Sequence, residues 1–323
     1  MKKTIAITGA SGQIGYALTF QLMHVLKEDT IRLHLIDLPN CQNALEALKM
    51  EVEDCGFKNL DSVMITTDLA EGFKNVDWAL LVGSMPRKEG MERSDLLKLN
   101  GAIFKKQGEM INEHARPTVK VLVIGNPCNT NALIASKHAP NIPDEQFFAL
   151  TMLDQLRAEA QLAIKANIPV SDISDMIIFG NHSATQFPAY PLAEIDGKKA
   201  TDVINDLEWF KSEFVPTIQK RGATVIKTRG ASSAASAANA ICETIRCVDH
   251  STGEAFSLGV ISNGEYGAHP GLIVSYPCIS VNGKITVQDQ WPIDDQSKKY
   301  LELTFDELKK EHDQVESMGL LGS

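Results

Sequence analysis

Short apolar runs alternate with amphipathic stretches through the first half of the chain. Residues 4–8 (Thr-Ile-Ala-Ile-Thr) are apolar and partly β-branched, the pattern of a strand buried on both faces of a parallel sheet. A glycine-rich turn and a helical run over 16–27 follow, then a second strand over 31–36. A helical stretch at 41–56, strands at 62–66 and 76–82, a helix at 94–115, a strand at 119–124 and a short strand at 147–151 continue the series. This alternation predicts a doubly wound parallel sheet with right-handed crossovers. Near residue 150 it stops. Beyond it the pattern predicts a helix to about Ala166, a strand over 173–179 and a long helix over 201–220. β-like runs at 190–200 and 276–292 carry the hairpin dipeptides Asp196-Gly197 and Asn282-Gly283. The Ala/Ser-rich stretch 229–249 predicts one smooth helix, and 297–318 an amphipathic helix on Leu301, Phe305 and Leu308. Two domains are expected, 1–151 and 152–323, with no flexible linker between them.

Composition narrows the function classes. The 323 residues carry a net charge of −10, which disfavours a nucleic-acid surface or an anionic membrane face but leaves room for a local cationic pocket. No apolar run approaches the roughly 18 residues that a membrane helix needs. The six cysteines show no C-x-x-C spacing, so neither a disulfide framework nor a metal site is expected, and reduced thiols fit a cytoplasmic location. Met1-Lys2-Lys3 runs directly into the first strand rather than into a signal-peptide apolar core.

The candidate chemistry gathers at the ends of these elements. Gly9-Ala10-Ser11-Gly12-Gln13-Ile14-Gly15 joins the first strand to its helix as a G-x-x-G-x-x-G loop. Glycines there permit a tight turn and close approach to a pyrophosphate, which the helix N-terminus attracts. Asp37 ends the second strand about twenty residues further on, placed to accept from ribose hydroxyls and to repel a 2′-phosphate. The expected cofactor is therefore NAD, and the expected fold is α/β: a Rossmann-type doubly wound parallel sheet with a second α+β substrate/catalytic domain. At the carboxyl ends of later strands lie a loop with Arg87 and Arg93, able to fold over an anion, and Asn126, followed by a proline that leaves the bond geometry open. Asp154 and Arg157 share a helix face. A surface salt bridge between them is the plain alternative. The functional reading gives each its own partner: Asp154 the ring of His182, Arg157 a substrate carboxylate held bidentately.

One histidine among eight carries little weight alone. His182 gains it from its surroundings: a dinucleotide loop, arginines for an anion and an acid to orient the ring make an inventory for hydride transfer. Five segments resemble those of NAD-dependent malate dehydrogenases, most closely the cytosolic type: residues 9–15, 85–97 (Met-Pro-Arg-Lys-Glu-Gly-Met-Glu-Arg-Ser-Asp-Leu-Leu), 125–131 (Gly-Asn-Pro-Cys-Asn-Thr-Asn), 153–158 (Leu-Asp-Gln-Leu-Arg-Ala) and 180–186 (Gly-Asn-His-Ser-Ala-Thr-Gln). Ser-Ser-Ala-Ala-Ser at 232–236 is similar to the family's small-residue helix.

The resemblance implies His182 as acid/base paired with Asp154. It implies Arg157 on the C1 carboxylate, Arg93 on the carbonyl, Arg87 on the second carboxylate, and Ser236 lining the pocket. Its cofactor set is Gly9, Gly12, Gln13, Ile14, Gly15, Asp37, Asn100, Gln107 and Asn126. It also implies a malate/oxaloacetate substrate and a homodimer, with loop 84–95 closing over the ligands. The alternatives are a lactate-type 2-hydroxy-acid dehydrogenase, which Arg87 disfavours, and a non-catalytic NAD-binding protein, which has no need of Asp154, Arg157 and His182 together.

Overall fold

The structure, a computed structural model, describes residues 1–85, 93–251 and 253–322, without the side chains of Arg93 and Ser94. It packs as two units, Met1–Ala149 with Lys310–Ser323, and Leu150–Lys309. The strand–helix alternation put the division at 151/152; by packing it falls at Ala149/Leu150, and the last fourteen positions, 310–323, return to the first unit.

In the first unit, strands β1 (Lys2–Thr8), β2 (Thr30–Ile36), β3 (Leu60–Thr66), β4 (Trp78–Leu81), β5 (Lys120–Val123) and β6 (Phe147–Ala149) alternate with helices α1 (Gln13–Val25), α2 (Gln42–Asp54), α3 (Leu69–Gly72), α4 (Arg93–His114) and α5 (Cys128–Lys137). The strands lie parallel in the order β6-β5-β4-β1-β2-β3. This is the Rossmann order. β1 sits at its centre, where the winding reverses and a crevice opens outside the strand ends. Covered on both faces by helices, β4 is buried throughout and β1 from its second residue on. That is why both read as unbroken apolar runs rather than as alternating ones.

The second unit is α+β. Helix α6 (Met152–Ala166) opens it, followed by the short strands β7 (Ile173–Ser174), β8 (Ile178–Phe179), β9 (Phe187–Pro188), β10 (Glu194–Ile195) and β11 (Lys198–Lys199). Helices α7 (Ala200–Ile204), α8 (Leu207–Trp209), α9 (Val215–Arg229) and α10 (Ala235–Asp249) come next. Strands β12 (Phe256–Ile261), β13 (Ile273–Val281) and β14 (Lys284–Val287) form an antiparallel group, and α11 (Asp295–Ser317) follows. Both hairpin dipeptides turn as expected. Asp196 and Gly197 take φ of 49° and 72°, and Asn282 and Gly283 take 53° and 77°, so both central residues of each turn are left-handed.

Three elements differ from the sequence expectation. The strand over 173–179 is two short strands, because Asp175 adopts φ 55° between them. The helix over 201–220 breaks at Asn205, φ 47°, and restarts after Asp206, whose side chain caps the backbone N–H of Trp209. It then runs through a π-helical turn at Phe210–Phe214 into α9. The smooth helix over 229–249 is also interrupted: α9 ends on Gly230 at φ 74°, and α10 starts only at Ala235. Gly230 occupies the left-handed position that terminates helices. The break leaves Ser232 and Ser233 in a loop rather than on a helix.

Candidate active site

The cofactor half is built by the carboxyl ends of β1 and β2, paired in register from Lys2/Thr30 to Thr8/Ile36. Gly9 follows β1 with φ +66°, and a Cβ on it would stand 2.7 Å from the Cα of Gly83, just beyond β4. A Cβ on Gly15 would stand 2.4 Å from the Gly9 carbonyl oxygen and 2.6 Å from the Ala10 Cα. The loop is thus backbone packed on backbone. Gly12 and Gln13 are exposed at the start of α1, and Ile14 half-exposed. Gly12 as N-cap offers no side chain to the first-turn N–H groups, and no acid stands in that turn. Such an uncapped, acid-free helix start suits a pyrophosphate.

Asp37 closes this half. One carboxylate oxygen accepts from the Ser11 backbone N–H at 2.9 Å and from the Ser11 hydroxyl at 2.7 Å, and the other from the Leu38 N–H at 2.8 Å. The acid is therefore tied to the glycine loop itself, and the loop and the acidic strand end fit an NAD cofactor. Gly15→Ala is expected to weaken NADH binding at least about tenfold and to cost about 1–3 kcal/mol of stability, since the contact is with backbone that cannot rotate aside. Isothermal titration with NADH and a thermal melt would check both.

Asn126 lies exposed after β5 and precedes a cis peptide bond to Pro127. Two further residues expected at the cofactor, Asn100 and Gln107, are buried. Asn100 is fully buried; it accepts from the Met85 N–H at 2.8 Å and donates to the carbonyls of Met85, 3.2 Å, and Asn126, 3.0 Å. It ties the backbones of Met85 and Asn126 together. Gln107, on α4, is 5% exposed, with a side-chain oxygen that finds no hydrogen-bond partner among the described residues. Arg87 lies outside the described residues. Of Arg93 the structure describes the backbone, which opens α4.

The acid/base half lies in the second unit. The Asp154 side chain is fully buried on α6 and that of His182 is 20% exposed. The ring Nδ1 of His182 hydrogen-bonds one Asp154 oxygen. Arg157 Nη1 donates to the other at 3.1 Å, and its Nη2 to the Ser233 hydroxyl at 3.1 Å. The sequence reading gave Asp154 and Arg157 separate partners. In the structure Asp154 takes the His182 ring as expected and its other oxygen also receives Arg157, because a spacing of three on a helix brings the two side chains together. The structure likewise brings Ser233 to the arginine, while Ser236 is exposed on the first turn of α10. Ser233 was missed because the expected continuous helix would have turned it elsewhere.

The electrostatics follow from this geometry. Burial works against charge on both groups. For Asp154, the neighbouring imidazole, then Arg157, then a hydrogen bond from Gln186 outweigh it and hold the acid below the usual carboxylate range. For His182, burial pulls the pKa down, but the Asp154 charge and hydrogen bond push it up further than Arg157 pulls it back, and the net shift is upward. Gln186 was not singled out from sequence, although it ends the segment that contains His182. With Nδ1 committed to Asp154, proton exchange with a ligand falls to Nε2.

Residues 3–148 match the lactate/malate dehydrogenase NAD binding domain, and residues 151–318 the alpha/beta C-terminal domain of the same enzymes. The chain is similar to the solved structure of malate dehydrogenase from Naegleria fowleri, with 40% identity over 98% of each chain and a TM-score of 0.94. It is also similar to an apo lactate dehydrogenase variant from Trichomonas vaginalis, with 38% identity over 98% of each chain and a TM-score of 0.92. The T. vaginalis lactate dehydrogenase in complex with NADH and oxamate matches at 38% identity over 96% of this chain and 97% of that one, TM-score 0.91. Both halves of the chain, and the cofactor loop and acid/base cluster they carry, place it in the lactate/malate dehydrogenase family, as an oxidoreductase whose cofactor is NAD.

Proposed function

We propose that the chain is a malate dehydrogenase, interconverting (S)-malate and oxaloacetate. The observation that carries the reaction class is the buried His182–Asp154 pair with Arg157 on the same carboxylate. Arg87 in the sequence carries the substrate: a second cation suits a substrate with a second carboxylate. Bound NAD supplies the acceptor for the hydride that leaves C2 of malate. His182 takes the hydroxyl proton at Nε2, and Asp154 holds the ring tautomer and stabilises the imidazolium. Arg157 grips the C1 carboxylate, with its second nitrogen already steadied by Ser233. Arg93 stabilises negative charge on the carbonyl oxygen, Arg87 holds the far carboxylate, and Asn126 contacts substrate and cofactor. In the reverse direction His182 starts protonated and returns the proton to the alkoxide oxygen.

The second reading is a lactate-type enzyme, favoured by the 38% identity to the T. vaginalis lactate dehydrogenase. The two are separated by following NADH oxidation with oxaloacetate and with pyruvate. Strong preference for oxaloacetate supports the malate reading; preference for pyruvate overturns it and leaves His182 and Asp154 in their roles. NADPH serves as the control. Asp37 places a carboxylate where a 2′-phosphate would sit, and like-charge contact of this kind costs several kcal/mol, so NADH is expected to be preferred by at least about tenfold. Asp37→Ser should narrow that ratio, and an unchanged ratio would remove Asp37 from cofactor selection. The reading includes a homodimer, which light scattering would test, and a cytoplasmic location.

A further inference from the structure

The turn that presents His182 is held from two directions. Gly180 pairs in both directions with Ser275, at 3.0 and 2.9 Å. After it, Ser183 N–H donates to Asn181 O at 2.8 Å and Gln186 N–H to Ser183 O at 3.3 Å. The other direction is α11. Gly180 takes φ +89°, and a Cβ on it would collide with the Thr304 side chain at 2.1 Å. The fully buried Thr304 hydroxyl accepts from the Asn181 backbone N–H at 2.9 Å. One turn along the same face stands Glu307. A single oxygen of its carboxylate accepts from the Asn181 side-chain amide at 3.0 Å, from the Thr185 hydroxyl at 2.6 Å and from the Ser183 hydroxyl. Ser183 Oγ in turn accepts from the Thr185 N–H at 3.0 Å.

Three donors, from both sides of His182, therefore converge on one carboxylate oxygen. A carboxylate can take this many because it is acceptor-only with several lone-pair sites, and charge strengthens each bond. We infer that Glu307 is a positioning residue for the hydride-transfer reaction: by holding Asn181, Ser183 and Thr185 at once, it fixes the backbone that aims the His182 imidazole at Asp154. Thr304 forms the other half of the clamp, and Gly180 leaves the room that the threonine fills. The pattern is invisible along the chain, since Glu307 lies more than a hundred positions from His182 and reads there as one acid on a charged helix.

The inference rests on the proposed activity for its kinetic readout alone, so the test adds a readout on the ring itself. The His182 imidazole proton, assigned by its loss in His182→Gln, is followed by NMR titration in wild type and in Glu307→Ala. Kinetics with NADH and oxaloacetate or pyruvate run alongside. Misplacing a reacting group by about 1 Å can cost on the order of 100-fold, so a drop in kcat of about 10- to 100-fold is expected for Glu307→Ala, with KM for NADH held within about twofold. The His182 titration should move down from its raised position as the Asp154 contact loosens. Glu307→Gln keeps the length and an acceptor oxygen, and is expected to recover kcat to within a few-fold of wild type. Should Glu307→Ala fail to fold, Thr185→Val, which removes one of the three donors, carries the same test with a smaller loss of kcat.

Unchanged kcat and unchanged His182 titration in Glu307→Ala overturn the inference. So does a lowered Tm with normal kcat per folded molecule, which would make the cluster a stability device only. If wild type reduces neither keto acid, the activity reading falls, while the His182 titration in the variant still decides the positioning role.

Discussion

Asp154→Asn is expected to lower turnover by on the order of 10³- to 10⁴-fold while leaving NADH affinity within about threefold, because an amide can hold the imidazole in the wrong tautomer and cannot stabilise its cation. The side chain keeps its volume, so the buried site stays filled. What changes is the balance at His182. In the wild-type protein, burial lowers the histidine pKa and Asp154 raises it by more. Without the charge, burial and the nearby Arg157 both favour the neutral ring, and the pKa should fall below its ordinary value. The sign of the pH effect follows. Keto-acid reduction needs the imidazolium, so it persists at low pH and is lost as pH rises through the His182 pKa. The raised wild-type value extends that window upward; in Asp154→Asn the loss should come at lower pH. Oxidation needs the neutral ring and should gain on the acidic side in the same variant. Stopped-flow kinetics across pH with NADH fluorescence titration would check all of this. Equal losses in kcat and NADH binding, or an unmoved pH limb, would remove Asp154 from its role.

Arg87→Gln carries the second large expectation. Removing one partner of a buried charge pair typically costs about 2–5 kcal/mol, or roughly 30- to several-thousand-fold. That loss should fall on kcat/KM for oxaloacetate and spare pyruvate, which has no second carboxylate. The oxaloacetate/pyruvate ratio is therefore expected to collapse, with a relative gain for pyruvate. The variant keeps His182, Asp154 and Arg157, so NADH-dependent turnover remains measurable with one acid or the other. An unchanged ratio would mean that another group reads the far end of the substrate, and the malate assignment would lose the residue that carries it.

The two predictions differ in where their support lies. The Asp154 effect follows from a buried contact set: the His182 ring on one oxygen, Arg157 on the other and Gln186 beside them. The Arg87 effect follows from the sequence and from the family to which the chain belongs, since Arg87 lies outside the described residues. The lactate dehydrogenase matches, at 38% identity, lie close beside the malate dehydrogenase match at 40%, so overall similarity does not choose the acid. A side chain that touches the substrate does.

Much of the architecture was legible in the chain. The Rossmann half could be read because parallel strands covered on both faces demand unbroken apolar runs, and β1 and β4 have them. The glycine loop could be read because Gly9 and Gly15 sit where a side chain would strike backbone, a demand that depends on few neighbours. Asp154 and Arg157 could be placed on one face by helical spacing alone, and the Asp196-Gly197 and Asn282-Gly283 turns by local dihedral preference. These signals share a cause: period, turn chemistry and steric exclusion act over a few residues, so they are written locally.

Tertiary structure decided what no local rule contains. Gly230 could sit inside a small-residue helix or end it; α9 ends on it, and Ser233 in the loop that follows meets Arg157. Asn100 carries a side chain suited to a cofactor, yet its partners are the backbones of Met85 and Asn126. Asp154 serves His182 and Arg157 together because burial leaves one carboxylate to satisfy both. Glu307 reaches the His182 turn only because α11 lies across it. Apart from the Asp154–Arg157 pair, each of these is a contact between residues distant in sequence, chosen by which polar groups must find partners once the core has excluded water. The chain by itself determined most of its elements, its nucleotide loop and the main reactive side chains; the folded packing determined where three of those elements break and which side chains meet.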